Sequence, residues 1–277
     1  MTASPATKNC LDLWSQIFMV DLGKSLGHTV TAFRKDYAYR GGYQGREWKP
    51  FPDSSDRITE ATKHIVHRVE VKIEDNRIEN DINIELPKNA MEVYKRAEKQ
   101  LLIELENGGE KITESAVSAY ILCRQIANGG FYDDNGETQH VHTEAINAVA
   151  EIIEARQGRG TLIFYHFKHD KQRILERYPK AVFIDGETKA DDTSRIVNEF
   201  GTGKVTELFC HPKSAGTGLD GLQHNCDHIV WLGLPDDFGL YEQGNGRIAG
   251  HRAKGKPVTI SRIVTGKQFS NYRFRIR

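Results

Sequence analysis

Cysteine is scarce in this 277-residue sequence: four residues, at positions 10, 123, 210 and 226, with long gaps between them. So sparse a set builds no disulfide framework, and reduced thiols are expected. No run of about 18 apolar residues is present, so no membrane-spanning helix is expected. The N-terminus lacks a basic segment followed by an apolar one; no secretory signal is expected, and the reading is cytoplasmic. Hydrophobic residues at 38% and charged residues at 27% argue against disorder. The length suits one large domain or two small ones.

A loop that wraps a triphosphate is missing too. Gly23-Lys24-Ser25 has the end of one, but the first glycine of such a loop should stand at position 18, which is Phe18. Leu11–Leu22 also reads as an amphipathic helix where a strand should lead in. No Asp-Glu pair closes an apolar strand to hold magnesium. Cys210, His211, His224, Cys226 and His228 lack the spacing that lets zinc ligands converge, so no metal site is expected. His140 and His142 read as a surface pair. No serine or cysteine has local company that suggests an activated nucleophile.

Acidic residues also run out. Net charge is zero, yet none follows Glu242, while residues 243–277 carry nine Lys/Arg. A block so one-sided makes a local positive field. It reads as phosphate contact; for Arg273–Arg277 a solvated basic tail is an equal reading.

What is present is concentrated between Ser214 and Arg252. Ser214-Ala-Gly-Thr-Gly-Leu-Asp-Gly-Leu-Gln223 follows an apolar strand and holds Gly216, Gly218 and Gly221. Glycine lets backbone amides approach an anion closely, so the loop is a candidate phosphate nest; otherwise it merely turns the chain. Gln243 precedes Arg247 by one helical turn, and Arg252 follows Gly250. Arginine's planar fork suits phosphate and keeps its charge. The bland alternative is two surface arginines on a basic tail. Arg40-Gly-Gly-Tyr-Gln-Gly-Arg-Glu-Trp-Lys-Pro50 reads as a surface loop, with nucleic-acid contact as the alternative.

From about residue 161 strand and helix patterns alternate. Strands are expected at 161–166, 181–184, 205–210, 228–232 and 257–264. Helices are expected at 169–178, with Ile174, Leu175 and Tyr178 on one face, at 240–247, and through Phe200 from a cap at Asp192 or Thr193. Such alternation implies a parallel sheet with crossover helices, whose ligands bind at the carboxyl ends of strands. Earlier, three apolar stripes imply packing helices: Met91 to Leu105, Ala116 to Ile126, and Ile146 to Ile153. Asn128-Gly-Gly and Asp133-Asp-Asn-Gly136 are turn signals.

On these residues the chain resembles the Swi/Snf-type ATPases of helicase superfamily two, in the compact form seen in phages and prophages. Ser214–Gln223 is similar to motif V, and Gln243 through Arg247 to Arg252 is similar to motif VI. Leu162–Lys168 resembles motif IV, Ile184–Glu187 the segment after it, and Thr2–Pro5 with Leu11–Ile17 motif III. The chain departs from the family in two places. Asp220-Gly221 stands where motif V usually has Asn, and the motif VI arginines are five apart where three is commoner.

The resemblance implies an α/β fold: a RecA-like parallel sheet with crossover helices, preceded by a mostly helical N-terminal region. Residues 1–140 would hold the end of the first motor lobe and a helical linker, and 141–277 the C-terminal lobe. It implies catalytic roles for Arg247 and Arg252, nucleotide contacts from Gln243, Gly216 and Asp220, and nucleic-acid contacts from Lys168, Ser214, Gly216, Thr217 and Gly218. ATP and Mg would bind only with a partner chain carrying the first RecA-like lobe, and neither tightly alone. DNA would be the polymer bound. The alternatives are a non-enzymatic nucleic-acid- or partner-binding module, or the remnant of a truncated helicase gene.

Overall fold

The computed structural model describes residues 6, 9–41, 45, 47–67, 76–108, 114–215 and 219–265. The chain forms two compact units, Met1–Lys72 and Ile73–Arg277. The boundary expected at 140/141 is a division by motif; by packing, the division falls at 72/73.

In the first unit a 3-10 turn leads into α1 (Leu13–Asp21), followed by α2 (Val30–Tyr37), β1 (Ala38–Gly41), β2 (Glu47–Pro50) and α3 (Ser54–Thr62). Thr29 caps α2 by accepting the Ala32 N–H at 3.2 Å. Ile17, Leu26, Phe33 and Ile58 form a small core with Trp14 packed against it. The Trp14 indole N–H donates to the Gly27 carbonyl at 3.2 Å. The stretch expected as a loop at 40–50 is, where described, a hairpin: β1 and β2 pair antiparallel, from Ala38 opposite Pro50 to Gly41 opposite Glu47. Glycines hid the pairing from a pattern reading. The hairpin's Trp48 lies under the Arg40 guanidinium, 4.4 Å from ring centre, and Arg34 stands 5.5 Å from it.

Asp21 disposes of the Gly23-Lys24-Ser25 temptation. Its carboxylate accepts the Gly23 N–H at 2.9 Å and the Ser25 N–H at 2.8 Å. The Ser25 side-chain hydrogen bond, with these amides, holds the Asp21 carboxyl below its usual range. The nest already contains an anion, and it belongs to the chain.

The second unit is a six-stranded parallel sheet in the order β3-β10-β9-β6-β8-β7. Its strands are β3 (Arg77–Asn83), β6 (Gly160–Phe164), β7 (Val182–Ile184), β8 (Glu207–Cys210), β9 (Cys226–Trp231) and β10 (Val258–Val264). A helical hairpin, α4 (Lys88–Gly108) and α5 (Glu114–Asn128), and a small hairpin, β4 (Gly130–Tyr132) and β5 (Thr138–His140), separate β3 from the rest. The crossovers are α6 (Glu144–Arg156), α7 (Lys168–Arg177), α8 (Ala190–Gly201), the short α9 (Pro212–Ala215) and α10 (Phe238–Asn245).

Both faces of the sheet are buried, as a parallel sheet requires. One face packs Ile196, Phe200, Tyr241 and Ile248 against Leu162, Phe164, Leu208 and Trp231. The other packs Ala145, Ile146, Val149 and Ile174 against Ile163, Phe209 and Val230. The RecA-like expectation is therefore met: helices on both faces and a parallel sheet between.

Four expectations need correction. Strand β3 was not anticipated. It is an edge strand whose Glu79 and Asp81 pair with Arg262 of β10, so its charges conceal the alternation. Helix α8 begins at Ala190, with Lys189 at its cap in extended geometry and no side-chain cap; Asp192 and Thr193 lie inside its first turn, where the carboxylate favours the helix dipole. Leu175 is exposed, so the inner face of α7 is Ile174 with Tyr178. His142 is buried and its Nε2 lies 2.8 Å from the Ile126 carbonyl, so only His140 is at the surface. Burial drives the His142 pKa down to about 4.

Candidate functional site

Because the strands are parallel, the loops that follow β6 and β8 emerge side by side at one edge. Lys168 is the first residue of α7 and is exposed. Ser214 sits in α9 and is half-buried. These two expected nucleic-acid residues thus stand on adjacent strand ends. Gly216, Thr217 and Gly218 lie outside the described residues, as do Thr2–Pro5 and Arg273–Arg277.

A second group forms where the chain leaves that loop. Arg247 Nη1 donates to the Leu219 carbonyl at 3.3 Å, and Arg252 Nε donates to the Asp220 carboxylate at 3.2 Å. Arg252 Nη1 also donates to the Gly246 carbonyl at 3.0 Å. Gln223 Nε2 holds the other side of the group, donating to Asp220 at 3.2 Å. The hydrogen bonds from Arg252 and Gln223 keep the Asp220 carboxyl below its usual range. Burial, with Arg252's charge next, pulls Arg247's pKa below the usual arginine value. The two arginines thus bind successive residues of one loop, Leu219 and Asp220.

Packing of α10 explains how Arg247 is aimed. A Cβ on Gly244 would come within 2.9 Å of the Trp231 ring and 3.1 Å of Phe164. Glycine is required there for the helix to settle on the stacked pair Phe164 and Trp231, whose centroids are 4.3 Å apart. Asn245 Oδ1 then accepts the Trp231 indole N–H at 2.9 Å. The Gln-Gly-Asn-Gly-Arg string is thereby tied to two central strands. Arg247 lies past the end of α10, which closes at Asn245 rather than at 247; the last turn tightens, with Arg247 N–H donating to the Gly244 carbonyl at 3.1 Å. Gln243 is half-buried on α10, and Arg252 stands in a 3-10 turn, Gly250–Ala253.

Sequence reading missed the groups that shape the carboxyl edge. Arg124 of α5 donates to Asp236 at 2.5 Å, and Tyr120 donates to the same carboxylate at 3.0 Å. Arg124 also crosses the Phe167 ring at 5.5 Å. His166 and His211 stack with centroids 5.8 Å apart. Burial first, then Arg124's charge, drives His166 down to about 4, so it is neutral near pH 7. Lys171 bonds Asp185 at 2.7 Å and Glu187 at 3.1 Å, and Tyr165 donates to Asp185 at 2.9 Å. None of these has a local sequence signal: each pair is joined only by the sheet.

Beneath the edge lies a fully buried ionic cluster. Asp170 Oδ1 accepts from Arg173 at 2.9 Å, and Asp170 Oδ2 accepts the Phe167 N–H at 2.9 Å and the Asn128 amide at 3.1 Å. Burial alone would raise the Asp170 pKa; hydrogen bonding and charge from His169, and the charge of Arg173, outweigh it and leave the carboxyl below its usual range. Arg173 also donates to the carbonyls of Asn128 at 2.7 Å and His142 at 3.1 Å. The Asn128-Gly-Gly turn is built around this arginine: a Cβ on Gly129, at φ +115°, would fall 2.0 Å from Arg173 Nη1. The cluster fixes Phe167 and Lys168 from below.

Comparison with known proteins decides the kind of domain. Residues 144–252 match the family described as helicase conserved C-terminal domain. The segment from β6 to the 3-10 turn at Gly250 is thus similar to helicase C-terminal domains. Protein p41 of Acyrthosiphon pisum secondary endosymbiont phage 1 is 33% identical over 279 residues, covering 95% of this chain and 58% of its own length. The fold is that of the SWI2/SNF2 ATPase cores. The Sulfolobus solfataricus SWI2/SNF2 ATPase core in complex with dsDNA matches with TM-score 0.51 and 16% identity, over 93% of this chain and 55% of that one. The same core alone matches with TM-score 0.53 and 15% identity, over 92% and 53%. The C-terminal part of the Fun30 ATPase domain matches with TM-score 0.55 and 12% identity, over 71% of this chain and 87% of that one. The resemblance drawn from motifs IV to VI is borne out, and the phage relative fits its phage-like form. The chain spans just over half the length of p41 and of the Sulfolobus cores.

Among the described residues there is no cluster of three metal-binding side chains. No helix among them is long and apolar enough to cross a membrane.

Proposed function

We propose that the chain is the C-terminal half of a DNA-dependent ATPase motor of the Swi/Snf type, inactive until a first RecA-like lobe joins it. The observation that carries this reading is the meeting of motif V with motif VI: Arg247 on the Leu219 carbonyl, and Arg252 on Asp220. The residues fit one end of a nucleotide triphosphate. Two arginines offer forked donors, while the one lysine-serine turn that mimics a phosphate loop is filled by Asp21.

When bound, ATP supplies the phosphoryl group, and magnesium would come with the partner lobe. Within this chain, Arg247 is held by its helix end and stabilises the charge that develops on transfer, a role worth about 10³–10⁵ in rate. Arg252 reaches the same phosphates by leaving Asp220, which acts as its resting partner. Gln243 faces the nucleotide beside Arg247. Lys168 and Ser214, with the amides of Gly216 to Gly218, grip the DNA backbone and read no sequence. A double-stranded DNA substrate is supported by the Sulfolobus core's complex with dsDNA.

ATP turnover tests the reading. The pure chain with duplex DNA should show none. Added to a chain carrying the first lobe, it should support DNA-stimulated hydrolysis that Arg247→Ala abolishes. Turnover by the lone chain that survives Arg247→Ala refutes the proposal.

A further inference from the structure

The hairpin of the first unit carries an aromatic ring and cations that its packing does not use. Successive residues of a strand point to opposite faces, and paired residues share one. Arg40 stands opposite Trp48 on one face of the ribbon, and Tyr39 stands opposite Lys49 on the other. Each face thus sets one cation beside one aromatic ring. Arg40, Lys49 and Tyr39 are exposed, Tyr39 to 45%. A two-stranded ribbon is marginally stable by itself, and a ring left in water adds little to its hold on the core.

The cations also lack carboxylates. Among the described residues Arg34, Lys35, Arg40 and Lys49 form no ion pair, although Asp36 and Glu47 lie on the same elements. Elsewhere in the unit Arg57 pairs with Asp53, and Lys63 with Glu60. Arg40 Nη1 donates to the Gly45 carbonyl at 3.2 Å. The Trp48 ring holds two of the four cations instead, Arg40 at 4.4 Å and Arg34 at 5.5 Å from its centre. Attraction to a ring face orients a guanidinium and leaves most of its N–H donors to an outside acceptor.

Tyr39 is the ring that stays open. Its ring neighbour is Phe51, with centroids 5.7 Å apart and planes tilted by 32°. An open ring with Lys49 across the ladder, and two oriented guanidinium groups on the ribbon's other face, fits a flat ring joined to a phosphate. Each nucleotide of an unpaired strand has both parts. A duplex keeps its bases stacked inside and offers phosphates alone. An acidic peptide would satisfy the cations and leave Tyr39 unused.

We infer that this hairpin binds single-stranded nucleic acid: a base stacks on Tyr39, and neighbouring phosphates take Lys49, Arg40 and Arg34. The contact reads no sequence, because every base has a face to stack. It lies outside the segment 144–252 and uses none of the residues assigned to the motor. It stands apart from the motor reading, whose test is ATP turnover, so either can fail alone.

The test titrates the full chain into a labelled oligothymidylate of about 30 nucleotides and into a duplex of equal length, read by fluorescence anisotropy. Wild type should bind the single strand, more weakly as salt rises. Tyr39→Leu keeps an apolar side chain against Phe51 but removes the ring. It should weaken single-strand binding about fivefold or more, while Tyr39→Phe binds as wild type does. Duplex affinity should be the same in all three. Arg40→Gln should lower the slope of log affinity against log salt by about 0.7, the share of one phosphate contact on a single strand. Each variant should melt like wild type. If Tyr39→Leu melts lower, exposed Lys49→Gln on the same face carries the test, with the same expected change of slope. Undiminished single-strand binding by a folded Tyr39→Leu overturns the inference, as does no single-strand binding by wild type. An equal loss on the duplex also overturns it, since only a phosphate contact would then remain. So does polyglutamate that displaces the strand at equal charge concentration, which would point to an acidic protein instead.

Discussion

Replacing Arg173 by Met should cost more than any surface change in this chain. Arg173 is 3% exposed and Asp170 is fully buried. The substitution keeps the side chain's apolar length but takes the arginine from the Asp170 carboxylate, leaving it only His169 as a charged partner, and leaves the carbonyls of Asn128 and His142 without the guanidinium donor. Removing one partner of a buried ion pair costs about 3–5 kcal/mol, because an uncompensated charge stays behind. In a unit of this size each kcal/mol moves the melting temperature by about 2–4 °C, so the transition should fall by about 6–20 °C. The pH dependence sharpens the test. The folded Asp170 pKa lies below its ordinary 3.8, so the stability it contributes is present above that value and is lost as pH falls through the folded pKa. The deficit of Arg173→Met should therefore be full at pH 7 and shrink below about pH 4. The double variant Asp170→Asn/Arg173→Met should recover part of the loss. Urea melts of all three forms at pH 7 and pH 3.5 read this directly. A loss under about 1 kcal/mol at pH 7, or a deficit that grows in acid, refutes the reasoning.

Other expectations are independent of that pair. Gly129→Ala puts a Cβ on Arg173 at positive φ and should cost about 1–3 kcal/mol from strain alone, read by thermal melting. Gly244→Ala should push α10 off Trp231; a changed tryptophan emission with intact far-ultraviolet dichroism would show it, and an unchanged spectrum would count against the close packing. Asp220→Asn removes an exposed pair with Arg252, so stability should change by less than about 1 kcal/mol while affinity for nucleotide phosphates in the completed motor rises. His142, His166 and His228 are each held near 4 by burial, below an ordinary 6.5, so unfolding takes up protons between those values and stability should fall as pH drops from 6.5 to 4. His228→Gln should remove one proton's share of that slope.

Much of this was legible in the sequence where the signal is local. Apolar runs of strand length gave β6, β8, β9 and β10 within a few residues, because a parallel sheet buries both faces of a strand. The glycine at position 244 was visible as part of a motif, but its physical reason, the Trp231 ring, became visible only once the sheet had brought position 231 under α10. Strand β3 escaped because an edge strand needs apolar residues on one side only, and its Glu79 and Asp81 answer Arg262 from far along the chain. Arg124 and His166 escaped for the same reason: each is defined by a partner that no spacing rule connects to it. The Arg252 tie to Asp220 joins two motifs that the sequence presents separately.

Calorimetric titration of the pure chain with Mg-ATP tests the central claim most directly. With half a site, the chain should show no saturable uptake up to about 1 mM, and micromolar binding should emerge only when the first lobe is added. One-to-one micromolar binding by the chain alone would contradict the account.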